Sequence, residues 1–378
     1  MRKLLGAICF SVLAFTTAVC PAADLRMQSG FTFDWWSDNR SNDARQIAVP
    51  VRVEGNAGDF SATLLTAHVD TRLNPEGRDS ASLGAFVDTK LVTSYQIIDR
   101  LPIDIIIGLD FNLPTGKTNL SRRELNLIMD PDLIPIVNFG EGFNVNPTVT
   151  LAGQWGNWAA GLGFGYLWRG EYDYSAEIGV TDYSPGDIIT INGEARYYVT
   201  PRLYSRLFAG HSWYGRDTVR GIDSYQEGGF TAAGAGVNYS PAEQWNIDIS
   251  FRGIFREKSK FPSTTGAMDT EPYNIHGDEW VADVGVRYLV DEKTAVGSTF
   301  QGRWHSGNDY PEAASRHIGA REKYSLGVKA VRALTPHLEA GLDVRGFLKH
   351  DEKANFPQYQ PERHFTGFSV ALVLAGKF

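Results

Sequence analysis

The sequence predicts an all-β fold, a transmembrane antiparallel up-and-down β-barrel of about 16 strands. Three observations predict it. Segments after residue 24 alternate apolar and polar residues with period two, their connections alternate between short and long, and the last segment alternates to a terminal Phe378.

The chain starts with Arg2 and Lys3, an apolar run from Leu4 to about Val19, and the small residues Ala22-Ala23. This is the order of a secretory signal peptide over residues 1–23, cleaved after Ala22 or Ala23. A membrane anchor would need roughly 20 apolar residues and a stop-transfer flank, and a lipid-attachment site at Cys20 would need a different preceding pattern than Thr17-Ala18-Val19. The barrel domain then occupies residues 24–378.

Cys9 and Cys20 are the only cysteines and both fall in the signal, so the mature chain has no disulfide or thiolate site despite reaching an oxidising compartment. The formal net charge of −8 becomes more negative still when Arg2 and Lys3 leave, which opposes nucleic acid as a partner because phosphate binding needs a basic surface. After the signal no long apolar stretch remains, which excludes helical membrane spans. A barrel needs only the outward half of each strand to be apolar.

In residues 245–256 Trp245, Ile247, Ile249, Phe251 and Phe255 alternate with Asn246, Asp248, Ser250, Arg252 and Arg256. One face would meet lipid and the other water. Residues 338–349 repeat the scheme, with Leu338, Ala340, Leu342, Val344 and Leu348 set against Glu339, Asp343, Arg345 and Lys349. The same reading places strands near 27–37, 45–54, 58–70, 80–96, 102–111, 145–155, 157–168 and 186–199 in the first half. It continues with 202–215, 228–240, 245–258, 277–290, 293–305, 319–332, 337–349 and 363–378.

The links at 55–58, 99–101, 156, 200–201, 240–244, 291–292 and 333–336 are short, and the connections between them are longer and polar. Tight turns on the periplasmic side and loops outside produce this alternation, and an even strand count leaves both termini periplasmic. Soluble sandwiches also alternate apolar and polar residues, but their loops have no reason to alternate in length. Propellers would show a fixed motif per blade of about 40 residues, and only turn prolines at Pro201, Pro241 and Pro336 recur.

The final strand sets Phe368, Val370, Leu372, Leu374, Gly376 and Phe378 on one face. This resembles the C-terminal assembly signal of outer-membrane barrels and implies the barrel-assembly machinery as a partner during insertion.

Residues 104–142 hold a strand ending in Leu113-Pro114-Thr115-Gly116-Lys117 and then, after an irregular stretch, Phe139-Gly140-Glu141-Gly142 and a new strand. This pattern is similar to the outer-membrane barrels grouped as phenol-degradation meta-pathway transporters. The resemblance implies a transport or porin role, with hydrophobic or aromatic compounds as one variant. It covers about a tenth of the chain in motif, plus the strand plan, and a long insertion separates the two motifs. General porins are a second resemblance, because there a long loop at this point of the strand order folds into the lumen. Residues 112–144 are expected to do so here, against a cap outside or a plug on the periplasmic side.

Within that loop Ser121 to Met129 reads as a short helix, with Ser121 as cap and Glu124 as its partner in a capping box. Leu125, Ile128, Met129, Leu133, Ile134, Ile136 and Val137 need a wall to pack on, and the barrel interior is the nearest one.

Parity places Arg196, Arg206, Arg252, Arg287, Arg303 and Arg345 inward, along with acids such as Asp248 and Asp283. Acidic loop residues Glu124, Asp130, Asp132 and Glu141 facing these arginines would form a constriction with a transverse field. The other outcome is that the charges pair among themselves and select nothing.

For catalysis the candidates are His211-Ser212 and His305-Ser306. Neighbours on a strand point to opposite faces, so neither pair can act as its own dyad, and no catalytic, metal or cofactor residue is assigned. The expected function is passive transport of small solutes through the bacterial outer membrane. The alternatives are a sealed barrel used for adhesion or for sheathing a partner, and a lipase- or protease-type enzyme. Expected partners are outer-membrane lipids and a small-molecule solute; a homo-oligomer is left open.

Overall fold

The computed structural model describes residues 24–378, so the expected signal segment and its cleavage site lie outside the described residues. From Asp24 onward the chain is a closed antiparallel barrel with 16 wall positions. The first half of the wall is β1 (Asp24–Asp38), β2 (Asp43–Ala57), β3 (Phe60–Asn74), β4 (Ala81–Phe86) with β5 (Thr89–Ile97), β6 (Asp104–Leu113), β7 (Asn144–Trp155) and β8 (Trp158–Arg169). After the two-residue β9 (Tyr183–Ser184), the wall continues with β10 (Ile188–Thr200) and β11 (Leu203–Tyr214). A loop carrying β12 (Asp217–Val219) and β13 (Ile222–Tyr225) leads to β14 (Phe230–Tyr239) and β15 (Trp245–Arg256). Beyond β16 (Lys260–Pro262) and β17 (Met268–Thr270) come β18 (Glu279–Leu289), β19 (Thr294–His305), β20 (Arg321–Thr335), β21 (Leu338–Asp351) and β22 (Arg363–Lys377). β22 pairs with β1 from Arg26 opposite Lys377 to Asp38 opposite Phe365, which closes the ring and removes the free edges.

The strand expected over 80–96 is two segments. β4 and β5 both pair with β3 and share one wall position. The break at Val87-Asp88 turns the Asp88 carboxylate toward three donors described below, while Val87 still donates to the Ala67 carbonyl at 3.0 Å. One connection also departs from the expected alternation, because β1 and β2 are joined by only Asn39 to Asn42. The Asp38 carboxylate accepts from the Arg40 and Asn42 backbones at 2.9 Å each and lets Ser41 take a left-handed turn.

On the outer surface Leu162, Leu207, Ile249, Leu326 and Leu372 form an exposed apolar band. Trp155, Trp158, Tyr197, Tyr239 and Trp245 flank it at the end with the short turns, and Trp168, Trp213 and Trp280 at the end with the loops. In water this surface would be a liability. In a bilayer it is the required coat, where an Arg or Lys at mid-depth would cost about 2–4 kcal/mol. Phe368, Leu372, Leu374 and Phe378 belong to this coat.

Candidate functional site in the barrel lumen

The residues between β6 and β7 fold into the lumen, and their neck is built from the two motifs of the sequence. Gly116 faces the Phe139 carbonyl so closely that a Cβ there would collide with it, and Gly140 lies against the Lys117 carbonyl. Gly142 takes φ +78°, which favours glycine. Asp88, in the break between β4 and β5, fastens both sides. Its carboxylate accepts from the Gly116 backbone at 2.8 Å, the Glu141 backbone at 2.6 Å and the Asn112 side chain at 2.7 Å.

Beyond the neck the loop has two unlike contacts. Leu120, Leu127 and Phe139 bury against Ala48, Ala67, Val69, Ala81 and Leu83 of β2, β3 and β4. Leu133 joins Trp36, Ala44 and Phe365 of β1, β2 and β22. The buried Gln46 donates to the Ile136 carbonyl at 2.7 Å and accepts from its N–H at 3.2 Å, which satisfies an otherwise stranded backbone. The helix expected from Ser121 to Met129 is a single 3-10 turn, Glu124–Leu127. Glu124 still accepts from the Ser121 N–H at 2.9 Å, and Ser121 Oγ from the Glu124 N–H at 3.4 Å, the reciprocal pair of a capping box. However, Leu127 and Ile128 must reach the wall at β2 to β4 and Asp130 the wall at β20 and β21, and a longer helix would carry them past both.

The second contact is ionic. Asp132 pairs with Arg303 and accepts from Lys323 through its carbonyl, with His305 3.6 Å away. Asp130 meets Lys349 at 3.1 Å and Arg321 at 3.3 Å. These cations stand on β19, β20 and β21. Burial works to raise the Asp132 carboxyl, but the neighbouring His305 ring and the Arg303 and Lys323 charges hold it well below the usual carboxylate range. Burial opposes the charge of Asp130 as well, and Lys349 and Arg321 still hold it low. With both folded values depressed, the anchors contribute fully above the ordinary carboxylate range and are lost only as pH falls through the depressed values. Conductance is therefore expected to stay level from neutral pH through the ordinary aspartate value of about 3.9 and to change only well below it. A step centred at about pH 3.9 in single-channel recordings would mean that the anchors titrate as ordinary aspartates.

The expected constriction residues thus separate into groups. Asp132 meets Arg303 in direct contact, Asp130 meets Arg321 and Lys349, and neither presents a field across a gap. Glu124 is engaged with Lys117 inside the loop, and Glu141 with Asn138 at 2.7 Å. Arg196, Arg206 and Arg252 line a different region, a cavity of about 860 Å³ on β6 to β15 to which no loop residue contributes. There Arg196 pairs with Glu194, Arg206 with Asp248 at 3.1 Å and Arg252 with Asp283 at 3.9 Å. Arg345 lines a separate cavity of about 550 Å³ beneath Pro131 to Pro135. Arg287 is exposed near the turn end of β18.

The open region owes its space to small inward residues, Ala159, Gly161, Gly163 and Gly165 on β8 and Ala232, Gly234 and Gly236 on β14. It shares Thr150, Gly163 and Asn192 with a further cavity of about 430 Å³ reaching Ile188 and Tyr214, so a polar groove runs along this wall toward the loop end. The lumen is accordingly lopsided. Inward-facing Gln46 and Thr71 beneath the loop are 0% exposed, whereas inward-facing Asn192 is an exposed residue.

Sequence reasoning did not assign Asp88, Gln46, Arg321 or Lys323 to the loop. Parity places Arg321 and Lys323 inward beside Arg303, and that was the available signal. The two candidate dyads are occupied otherwise. His211 faces outward on Thr231 at 2.7 Å while Ser212 bonds Thr190 at 2.9 Å inside. His305 sits between Asp132 and Glu279, and Ser306 accepts from Asp278 at 2.8 Å.

Among solved structures the barrel is similar to OccAB1 of Acinetobacter baumannii, at 8% identity over 96% of this chain and 98% of that one, with a TM-score of 0.50. OccK7 (OpdD) of Pseudomonas aeruginosa shares 11% identity over 94% of this chain and 99% of that one, with a TM-score of 0.45. An anion-selective porin from Comamonas acidovorans shares 12% over 94% and 99%, with a TM-score of 0.41. At such identities the likeness is one of fold. No curated protein matches the sequence. The family model described as "Putative MetA-pathway of phenol degradation" matches residues 12–269, more than half of the chain and the stretch holding both motifs of the loop neck, and the protein belongs to that family.

Proposed function

We propose that the protein is a passive channel of the bacterial outer membrane, reached by export behind a cleaved signal peptide, and that solutes pass along the groove on β7 to β15. The carrying observation is the lopsided lumen, in which the loop seals the β1 to β4 side and leaves the polar half accessible to water. A barrel of this strand number encloses an aqueous passage unless something fills it, and here the filling is partial.

The arginines of the groove each have a carboxylate partner, so the passage sorts solutes by size and polarity more than by sign. In a planar bilayer the purified barrel should give steady unitary currents with a reversal potential near zero in a potassium chloride gradient. Liposome swelling should admit small sugars and aromatic acids alike. Silence in both assays would favour the sealed barrel.

The hydrophobic-solute variant implied by the family has one observation in its favour. Beneath the loop, Leu133, Ile134, Val331, Phe347 and Val373 line the 550 Å³ cavity, and above it Trp36, Met129, Phe356 and Phe365 line another of about 510 Å³. The anchored segment at Leu133 borders both, so an apolar solute taking this path needs the loop to shift.

A further inference from the structure

At the loop end of the seam between β21 and β22, on the outer face, three side chains converge that the lumen does not use. His350 and His364 are cross-strand partners whose rings stack at 4.6 Å with an interplanar angle of 10°. The Glu362 carboxylate reaches both, with the same oxygen 3.0 Å from Nε2 of His350 and 3.4 Å from Nε2 of His364. One ligand atom from each of the three lies within 4.8 Å of the others.

From these contacts we propose that His350, His364 and Glu362 bind a divalent transition-metal ion, Zn²⁺ or Cu²⁺, on the rim of the barrel. Ligands bonded at the usual 2.0–2.1 Å around a tetrahedral ion stand about 3.3 Å apart, and the two distances from Glu362, 3.0 and 3.4 Å, lie close to that. Two imidazoles and one carboxylate satisfy a borderline metal and leave a coordination position for water.

A second, independent observation is the support behind His350. Its Nδ1 lies 3.8 Å from the Glu322 carboxylate. Glu322 accepts from Tyr324 at 3.1 Å, and Tyr324 accepts from the Trp304 indole at 3.0 Å. A carboxylate beside the far nitrogen favours the ring orientation that turns Nε2 to Glu362. The wall of β19 and β20 therefore aims Nε2 of His350 at Glu362. Because Glu362 ends the connection between β21 and β22, the ion would tie the foot of that loop to the barrel.

The test is Cu²⁺ binding to the purified, tag-free barrel in detergent, followed by titration and electron paramagnetic resonance, with Zn²⁺ as competitor. One Cu²⁺ per barrel with hyperfine coupling to two nitrogens is expected. His364→Ala should weaken binding at least about ten-fold and remove one nitrogen, and Glu322→Gln should weaken it by about ten-fold while keeping both. His337→Ala at the opposite rim should change nothing. All variants should keep the heat-dependent gel shift of a folded barrel. A His350→Ala/His364→Ala double variant that binds Cu²⁺ with wild-type stoichiometry and affinity would overturn the assignment, as would no binding by the wild type.

Discussion

Excising residues 118–138 should raise single-channel conductance at least about two-fold, because it empties the half of the lumen that the loop fills. The join is feasible because the neck is already closed. Gly140 lies against Lys117, and Gly116 against Phe139. The excision also leaves Arg303, Arg321, Lys323 and Lys349 without Asp130 and Asp132, so the enlarged passage should turn anion-selective. Asp88→Ala provides the graded counterpart. It strands three donors, each at a cost of about 1–3 kcal/mol, but spares the apolar seat and the ionic anchors. Mean conductance should stay near wild type, with added flicker from a loosened neck. Bilayer recordings of the three proteins decide the matter, and an excised barrel with unchanged current would show that the loop does not limit flow.

The second large effect is expected in the opposite direction, from Gly161→Trp. Gly161 faces the groove, and a Cβ there would meet the Leu151 carbonyl at 3.6 Å and Ala152 at 3.9 Å, ordinary contacts that need no backbone movement. The indole, with about 150–250 Å² of surface, would project into the cavity of about 860 Å³. Conductance should fall by about half or more. Leu162→Trp, one residue on and facing lipid, should leave the current unaltered. Equal currents from both variants would place the conduit elsewhere in the lumen.

Strand positions and the inward loop were legible because period two is a direct image of a two-faced wall. A single register slip would have put Asp248 and Arg252 into lipid. The loop announced itself through apolar residues such as Leu133 and Ile134, which water would not accommodate. Parity could not tell which wall each loop charge reaches. Asp130 and Asp132 were expected to face arginines on β10, β11, β15, β18, β19 and β21 across open space, but of these only Arg303 takes Asp132, in direct contact, and Asp130 goes to Arg321 and Lys349 on the neighbouring strands. That choice depends on the depth at which the neck releases the chain. The depth is set by Asp88 in a strand break that no residue pattern marks, since Phe86, Val87 and Asp88 read as an unbroken alternation.

The anchoring of the loop also orders events in time. Arg303 lies 171 residues beyond Asp132, and Arg321 lies 191 beyond Asp130. An emerging or partly inserted chain can therefore form the neck and the greasy seat early, yet it holds two uncompensated carboxylates until its last third arrives. Docking of the loop is in this sense a checkpoint on completion, since the final quarter-turn of wall supplies the counter-charges at the same moment that it seals the cylinder.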